Sequence, residues 1–189
     1  MVDFVLEPRP PLGGFRHAYP GMIVEEVEPL SMCSLATPLG GGEALDAALE
    51  NAYGIVRPAP GRVAVSEAAG LRLLGMAADS VFALFDKDPG LLPDALAEQV
   101  RAACYVTDQS DAWAALRLTG ERVRDALERI AMIDLDSQSF EVGVVARTLM
   151  EHLSVIVVRE EENAYLLLST RSSAPSFLHA VTQSAENVL

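Results

Sequence analysis

The residues of this chain whose types could do chemistry are three histidines, two cysteines, a glycine triplet and a few close carboxylates. His17, His152 and His179 lie far apart, and none has a second donor three or four positions away, the spacing that brings two ligands onto one helix face. Glu151-His152 lacks the spacing of a zinc-protease helix and falls between two expected strands, so it reads as a polar turn. Cys33 and Cys104 sit in apolar surroundings with no basic run nearby to favour a thiolate, and they read as small buried hydrophobes. Gly40-Gly41-Gly42 precedes a helix but lacks the Lys-Ser/Thr of a phosphate loop, and Glu43 and Asp46 would repel an anion there. Asp134 and Asp136 could touch a hard cation, but two carboxylates alone make a poor site. Asp108, Ser110 and Asp111 suggest a turn, and Ser172-Ser173 a helix N-cap. Thirteen arginines accompany a single lysine, Lys87. Arg147, Arg159 and Arg171, on or beside strands, read either as ordinary surface pairs or as ion pairs to another subunit. The expected site set is therefore empty: no catalytic residue, no cofactor-binding residue and no metal ligand.

The elements that would position these residues follow from periodicity. Residues 1–20 read as an extended, proline-rich arm (Pro8, Pro10, Pro11, Pro20) with Phe15 and Tyr19 as anchors; it is either a frayed terminus or a segment ordered against a neighbouring chain. A strand-like run over 22–37 is broken at Pro29. Leu45, Ala48, Leu49, Ala52 and Tyr53 share one face of a helix over 43–53, which Gly54 ends. Residues 71–76 and 81–85 form a hairpin, and a second helix is expected over 91–103, with Leu92, Ala95, Leu96, Val100 and Ala103 on its face. The second half gives a strand over 112–118 and a helix over 120–130. Strands follow over 142–150, 153–158 and 165–169, with a turn at 160–163, and a last helix starts near Ser173. Both halves thus read as strand, helix, hairpin, helix. The fold class is α+β, with two lobes of antiparallel sheet (21–105 and 106–189) carrying helices on one face. Whether the lobes pair their sheets or pack side by side stays open.

Composition narrows the partners. The chain has 189 residues, 27 acidic and 14 basic side chains, and a formal charge of −13. That balance argues against a basic face for nucleic acid or anionic lipid. No apolar run approaches the ~20 residues of a membrane helix, and the start shows no secretory signal, so a cytoplasmic location is expected. Half of the residues are hydrophobic and the mean hydropathy is +0.24. For a chain of this size the surplus suggests apolar surface facing a partner subunit.

Several segments taken together resemble a known family. They are Val106-Thr107-Asp108-Gln109-Ser110-Asp111-Ala112-Trp113-Ala114-Ala115-Leu116-Arg117-Leu118-Thr119-Gly120, then Ile133-Asp134-Leu135-Asp136, then Ala146-Arg147-Thr148-Leu149-Met150-Glu151-His152-Leu153, and finally Arg171-Ser172-Ser173-Ala174-Pro175-Ser176-Phe177-Leu178-His179-Ala180. In this order they resemble the gamma subunit of heterotetrameric sarcosine oxidase; Leu73-Leu74-Gly75-Met76-Ala77-Ala78-Asp79 is similar more loosely. The resemblance implies a fold like that of folate-binding aminomethyltransferases and a place beside alpha, beta and delta subunits. It implies that the complex oxidises the N-methyl group of sarcosine with oxygen, giving glycine, hydrogen peroxide and methylene-tetrahydrofolate. FAD, FMN, NAD, zinc and tetrahydrofolate would be carried by the other subunits, and this chain would be a non-catalytic assembly subunit. Folate-using members of the wider fold carry a Gly-Gly-x-x-Asp-Asp-like turn where this chain has Met150-Glu151-His152-Leu153, so no folate site is expected here. The alternatives are a stand-alone folate-dependent aminomethyltransferase-like protein and the equivalent subunit of another N-methyl amine demethylase.

Overall fold

The structure is a computed structural model and describes residues 9–86 and 94–188. In chain order its strands and helices are β1 (Arg16–Tyr19), β2 (Met22–Glu26), β3 (Ser31–Ala36), α1 (Gly42–Tyr53), β4 (Val63–Ser66), β5 (Leu71–Ala77), β6 (Ser80–Phe85), α2 (Glu98–Ala103), β7 (Tyr105–Asp108), β8 (Trp113–Thr119), α3 (Val123–Leu127), β9 (Val145–Met150), β10 (Leu153–Glu161), β11 (Ala164–Thr170) and α4 (Ala174–Glu186). They build a six-stranded sheet in the order β1-β2-β8-β11-β10-β9 and a five-stranded sheet in the order β4-β5-β6-β3-β7. Neighbouring strands pair antiparallel throughout.

Alternation along the strands sorts the apolar residues into three interiors. On β8, Ala114, Leu116 and Leu118 face α3 and α4, where they meet Val123, Leu127 and Phe177. On β3, Cys33 and Leu35 face α1 and α2, where Leu45, Leu49 and Val100 pack. The remaining faces meet each other: Met32, Leu74, Phe82 and Leu84 of the five-stranded sheet pack on Ile156, Val158, Leu166 and Leu168 of the six-stranded sheet. The chain is thus a four-layer stack of helices, sheet, sheet and helices. β11 is buried on both faces, which is why its sequence is a continuous apolar run rather than an alternation.

The sheets do not divide the chain at residue 105. β2 lies in the first half of the sequence but pairs with β8, aligning Ile23 with Thr119 and Glu26 with Leu116. β7 follows residue 104 but pairs with β3. Each half therefore lends a strand to the other's sheet, and the chain crosses between sheets at 27–30, where Val27 and Leu30 pack into the central interior. The expected lobes of 21–105 and 106–189 are corrected accordingly. Local periodicity specifies a strand and its buried face, but carries no term for which distant strand it will join.

Other elements differ in extent. Residues 9–20 of the arm pack within the chain. β1 pairs with β2, while Leu12, Phe15 and Tyr19 pack on the helix side of the six-stranded sheet. The Glu26 carboxylate accepts the backbone N–H groups of Leu12 (2.8 Å), Gly14 (2.7 Å) and Phe15 (3.3 Å). The helix expected over 91–103 is seen as α2 from Glu98; the Ala97 N–H donates to Tyr53 Oη (2.8 Å), and Ala97 itself is extended. Leu92 lies outside the described residues. The helix expected over 120–130 is regular only over α3, because Gly120 begins it in a conformation (φ +127°) foreign to helices. A Cβ there would collide with the Gly21 carbonyl oxygen, so no other residue fits. Ser173 takes the N-cap position of α4 without capping it; its Oγ accepts from Thr170 Oγ1 (3.3 Å).

Candidate functional site

The chemistry-bearing residues picked from the sequence do not converge. His17 stands on β1, edge-on to the Tyr19 ring at 4.4 Å. His152 is in the turn between β9 and β10, His179 is on the outer side of α4, and all three are exposed. Among the described residues, no group of three or more His, Cys, Asp or Glu is placed to hold a metal ion. Cys33 and Cys104 are buried, unbridged thiols. Burial pushes the Cys33 thiol up to about 12, with Cys104 and Asp108 adding to the rise. A thiol held neutral to such a pH is a packing group rather than a nucleophile.

The polar loops close on themselves. Asp134 accepts from the Asp136 N–H (2.9 Å), and Asp136 in turn from the Gln138 N–H (2.9 Å). A hydrogen bond from Ser139, then that from Asp136, holds the Asp134 carboxyl below its ordinary range. Ser110 Oγ accepts from the Met32 N–H (3.1 Å) and tethers the 110–112 turn to β3. Beside the glycine triplet, Arg57 grips Asp46 with Nε (2.7 Å) and Nη2 (2.9 Å), so the cation that answers the first-turn acids is internal.

The three arginines singled out have three different fates. Arg159 is 5% exposed and is a structural group: it donates to the carbonyls of Phe140 (2.7 Å), Glu162 (2.8 Å) and Glu161 (3.4 Å) and lies over the Tyr165 ring. Arg171 donates to the Arg9 carbonyl (2.6 Å) and stands 3.8 Å from Asp111, tying the arm to the turn before β8. Arg147 is exposed on β9, and among the described residues its side chain has no hydrogen-bond or ion-pair partner.

What the sequence did not reveal is an ion cluster between the sheets. Glu160, expected in a turn, is instead the penultimate residue of β10. Its carboxylate takes Arg117 Nε of β8 (2.7 Å) and Arg72 Nη1 of β5, on the opposite sheet. Arg72 also reaches Asp86 (3.0 Å). Burial alone would push Glu160 up, but the hydrogen bond from Arg117 and the charges of Arg117 and Arg72 outweigh it and hold the carboxyl below its ordinary range. The guanidinium of Arg117 is stabilised in the charged form by the same contact. Grooves of 440 and 460 Å³ open on either side of the cluster. The only advance signal was an acidic residue at the end of an apolar strand.

A further groove of 420 Å³ lies between residues 9–11 of the arm, the 27–30 crossover and Trp113. Its lining sets Arg9 and Arg171 against Glu28 and Asp111, and its floor is apolar. Among the described residues no serine or cysteine is hydrogen-bonded to a histidine, the arrangement that would activate a nucleophile. Large apolar side chains do stand in solvent: Leu39 is fully exposed, Tyr105 is 69% exposed and Met132 is 70% exposed. Leu149 joins Met132, whose N–H donates to the Leu149 carbonyl (3.0 Å). The molecule presents contact surface and internal ion pairing.

No protein-family profile matches the chain, and no curated protein matches it. Solved structures do. A chain of heterotetrameric sarcosine oxidase from Corynebacterium sp. U-96, in complex with pyrrole 2-carboxylate, is similar over 88% of this chain and 85% of its own, with a TM-score of 0.75 and 22% identity. The aminomethyltransferase T of the glycine cleavage system from Bartonella henselae is similar over 82% of this chain, with a TM-score of 0.57 and 13% identity. This chain spans 44% of that protein's length. At these identities the likeness establishes the fold: α+β, two antiparallel sheets with helices, shared with a sarcosine oxidase chain and an aminomethyltransferase.

Proposed function

We propose that this chain is a non-catalytic, gamma-type subunit of a heterotetrameric sarcosine oxidase, assembling with alpha, beta and delta subunits in the cytoplasm. The supporting observation is the nearly end-to-end likeness to one chain of such an enzyme, at a TM-score of 0.75 over 88% of this chain. The exposed Leu39, Tyr105, Met132 and Leu149 fit a surface that assembly covers. In this reading the cofactors FAD, FMN, NAD and zinc, together with tetrahydrofolate, act in the partner subunits. This chain binds none of them. It supplies shape and apolar contact, and helps close a cavity from which a reactive one-carbon intermediate would otherwise escape.

Co-expression tests the reading. The chain is expected to co-purify with the other three subunits, and its omission to lower either the yield of assembled complex or the coupling of sarcosine oxidation to methylene-tetrahydrofolate formation. Equal assembly and equal coupling without it would overturn the proposal.

The likeness to aminomethyltransferase T favours one other reading, a stand-alone folate-dependent protein. It requires tetrahydrofolate binding by the isolated chain in calorimetry, weakened by Glu151→Gln. The equivalent role in another N-methyl amine demethylase differs only in substrate, and turnover of sarcosine against other N-methyl amines by the assembled complex separates the two.

A further inference from the structure

The two sheets do not cover each other completely. On β3, Met32, Ser34 and Ala36 share the face turned toward the other sheet; Met32 is fully buried, Ser34 half-buried and Ala36 exposed. The overlap therefore runs out along this strand. The cross-strand register places Ser80 of β6 and Tyr105 of β7 on either side of Ala36, and Phe82 and Thr107 on either side of Ser34. Because Phe82 belongs to the inter-sheet interior, Ser80, Ala36 and Tyr105 form the next row outward on that face. Beside this row, a groove of 490 Å³ enters between the sheets, with Phe82 and Met76 on one wall and Val145, Ala146 and Arg147 of β9 on the other. β7 is the last strand of its sheet, and among the described residues nothing pairs with its outer edge.

Arg147 decides what the groove would receive. The chain holds nearly two acids for every base, and most described arginines are paired within it. Arg147 is exposed at the groove, and among the described residues its side chain has no carboxylate or carbonyl partner. Its planar fork suits a carboxylate, and desolvating it without one would be costly. Around Arg147 the lining is largely apolar, which suits an apolar side chain beside that carboxylate in a protein segment.

We propose that this groove and the row from Ser80 to Tyr105 form the docking site for a segment of a partner subunit. That segment lays an apolar side chain against Phe82 and Met76 and presents a carboxylate to Arg147. The inference rests on the assembly role proposed above and names the face and the partner chemistry that serve it.

The test uses the full chain co-expressed with the three other subunits, with the tag on the alpha subunit. Among the described residues the Arg147 side chain makes no hydrogen bond or ion pair, so Arg147→Glu is expected to leave the thermal midpoint unchanged and to weaken incorporation by about 30-fold. Arg147→Lys is expected to retain most of it, and Tyr105→Glu to weaken it at unchanged stability. If wild type incorporates and Arg147→Glu incorporates equally well, the docking site is wrong while the assembly role stands. If wild type fails to incorporate, the assembly role is wrong instead. Light scattering on the isolated chain covers the other occupant: a dimer that Arg147→Glu dissociates would make the partner a second copy and overturn the proposal.

Discussion

Replacing Glu160 by Gln would leave the guanidinium groups of Arg72 and Arg117 facing each other across the sheet interface without their shared counter-charge. Removing one partner of a buried ion pair costs about 3–5 kcal/mol, and urea unfolding of Glu160→Gln is expected to show a loss near the lower end because Arg117 is a third exposed. The same group makes a pH prediction. Its folded carboxyl titrates below the unfolded one, so its stabilisation is present above the ordinary carboxylate range and is lost as pH falls through the folded value. Urea midpoints taken downward from pH 5 are expected to fall, and the fall is expected to shrink in Glu160→Gln. Cys33 has the opposite sign: its thiol stays protonated to about 12 in the fold, so stability falls as pH rises from the unfolded thiol range toward that value. Glu151 gives a third residue-level test, since it sits in the left-handed region (φ +53°) between β9 and β10. Glu151→Gly should relieve that strain and raise stability by about 0.5–1 kcal/mol in the same urea assay.

At the scale of elements, the arm shows how a carboxylate can order a segment without regular structure. Glu26 satisfies three amides of residues 12–15, which positions β1 as the edge of the six-stranded sheet. Glu26→Ala is expected to release this segment locally while the rest of the fold persists, read as roughly tenfold faster trypsin cleavage after Arg16 at unchanged thermal midpoint. An unchanged cleavage rate would mean that apolar packing of Leu12 and Phe15 alone holds the arm. Elements of this kind also mark the limit of what the sequence discloses. The face of α1, the β5–β6 hairpin and the αL position of Gly54 were legible because each depends on residues within about ten positions. The docking of the arm depends on Glu26, whose type alone says nothing of three amides. The Arg72–Glu160 contact joins residues 88 positions apart, and Arg147 looks like any other strand arginine until the structure places it beside a groove.

At the scale of the whole molecule, the exchange of β2 and β7 makes the two halves interdependent. Without β2, the β8 strand would lose its outer partner, and Met22 and Val24 would leave the helix-side core of the six-stranded sheet. Without β7, Leu35 and Val106 would lose their cross-strand contact on the other sheet. Behind both lies the inter-sheet interior, where Met32, Leu74, Ile156 and Leu168 are at most 1% exposed, and whose loss on separation would far exceed the few kcal/mol that hold a domain folded. The two sheets should therefore unfold together. Trp113 is the single tryptophan and meets Phe82 of the opposite sheet edge-on at 5.8 Å, so its fluorescence reports the interface while far-UV circular dichroism reports the strands and helices. Urea transitions followed by the two probes are expected to coincide. A fluorescence transition at lower urea than the dichroism would mean that the sheets part before they melt, and that the stack behaves as two domains in contact rather than as one.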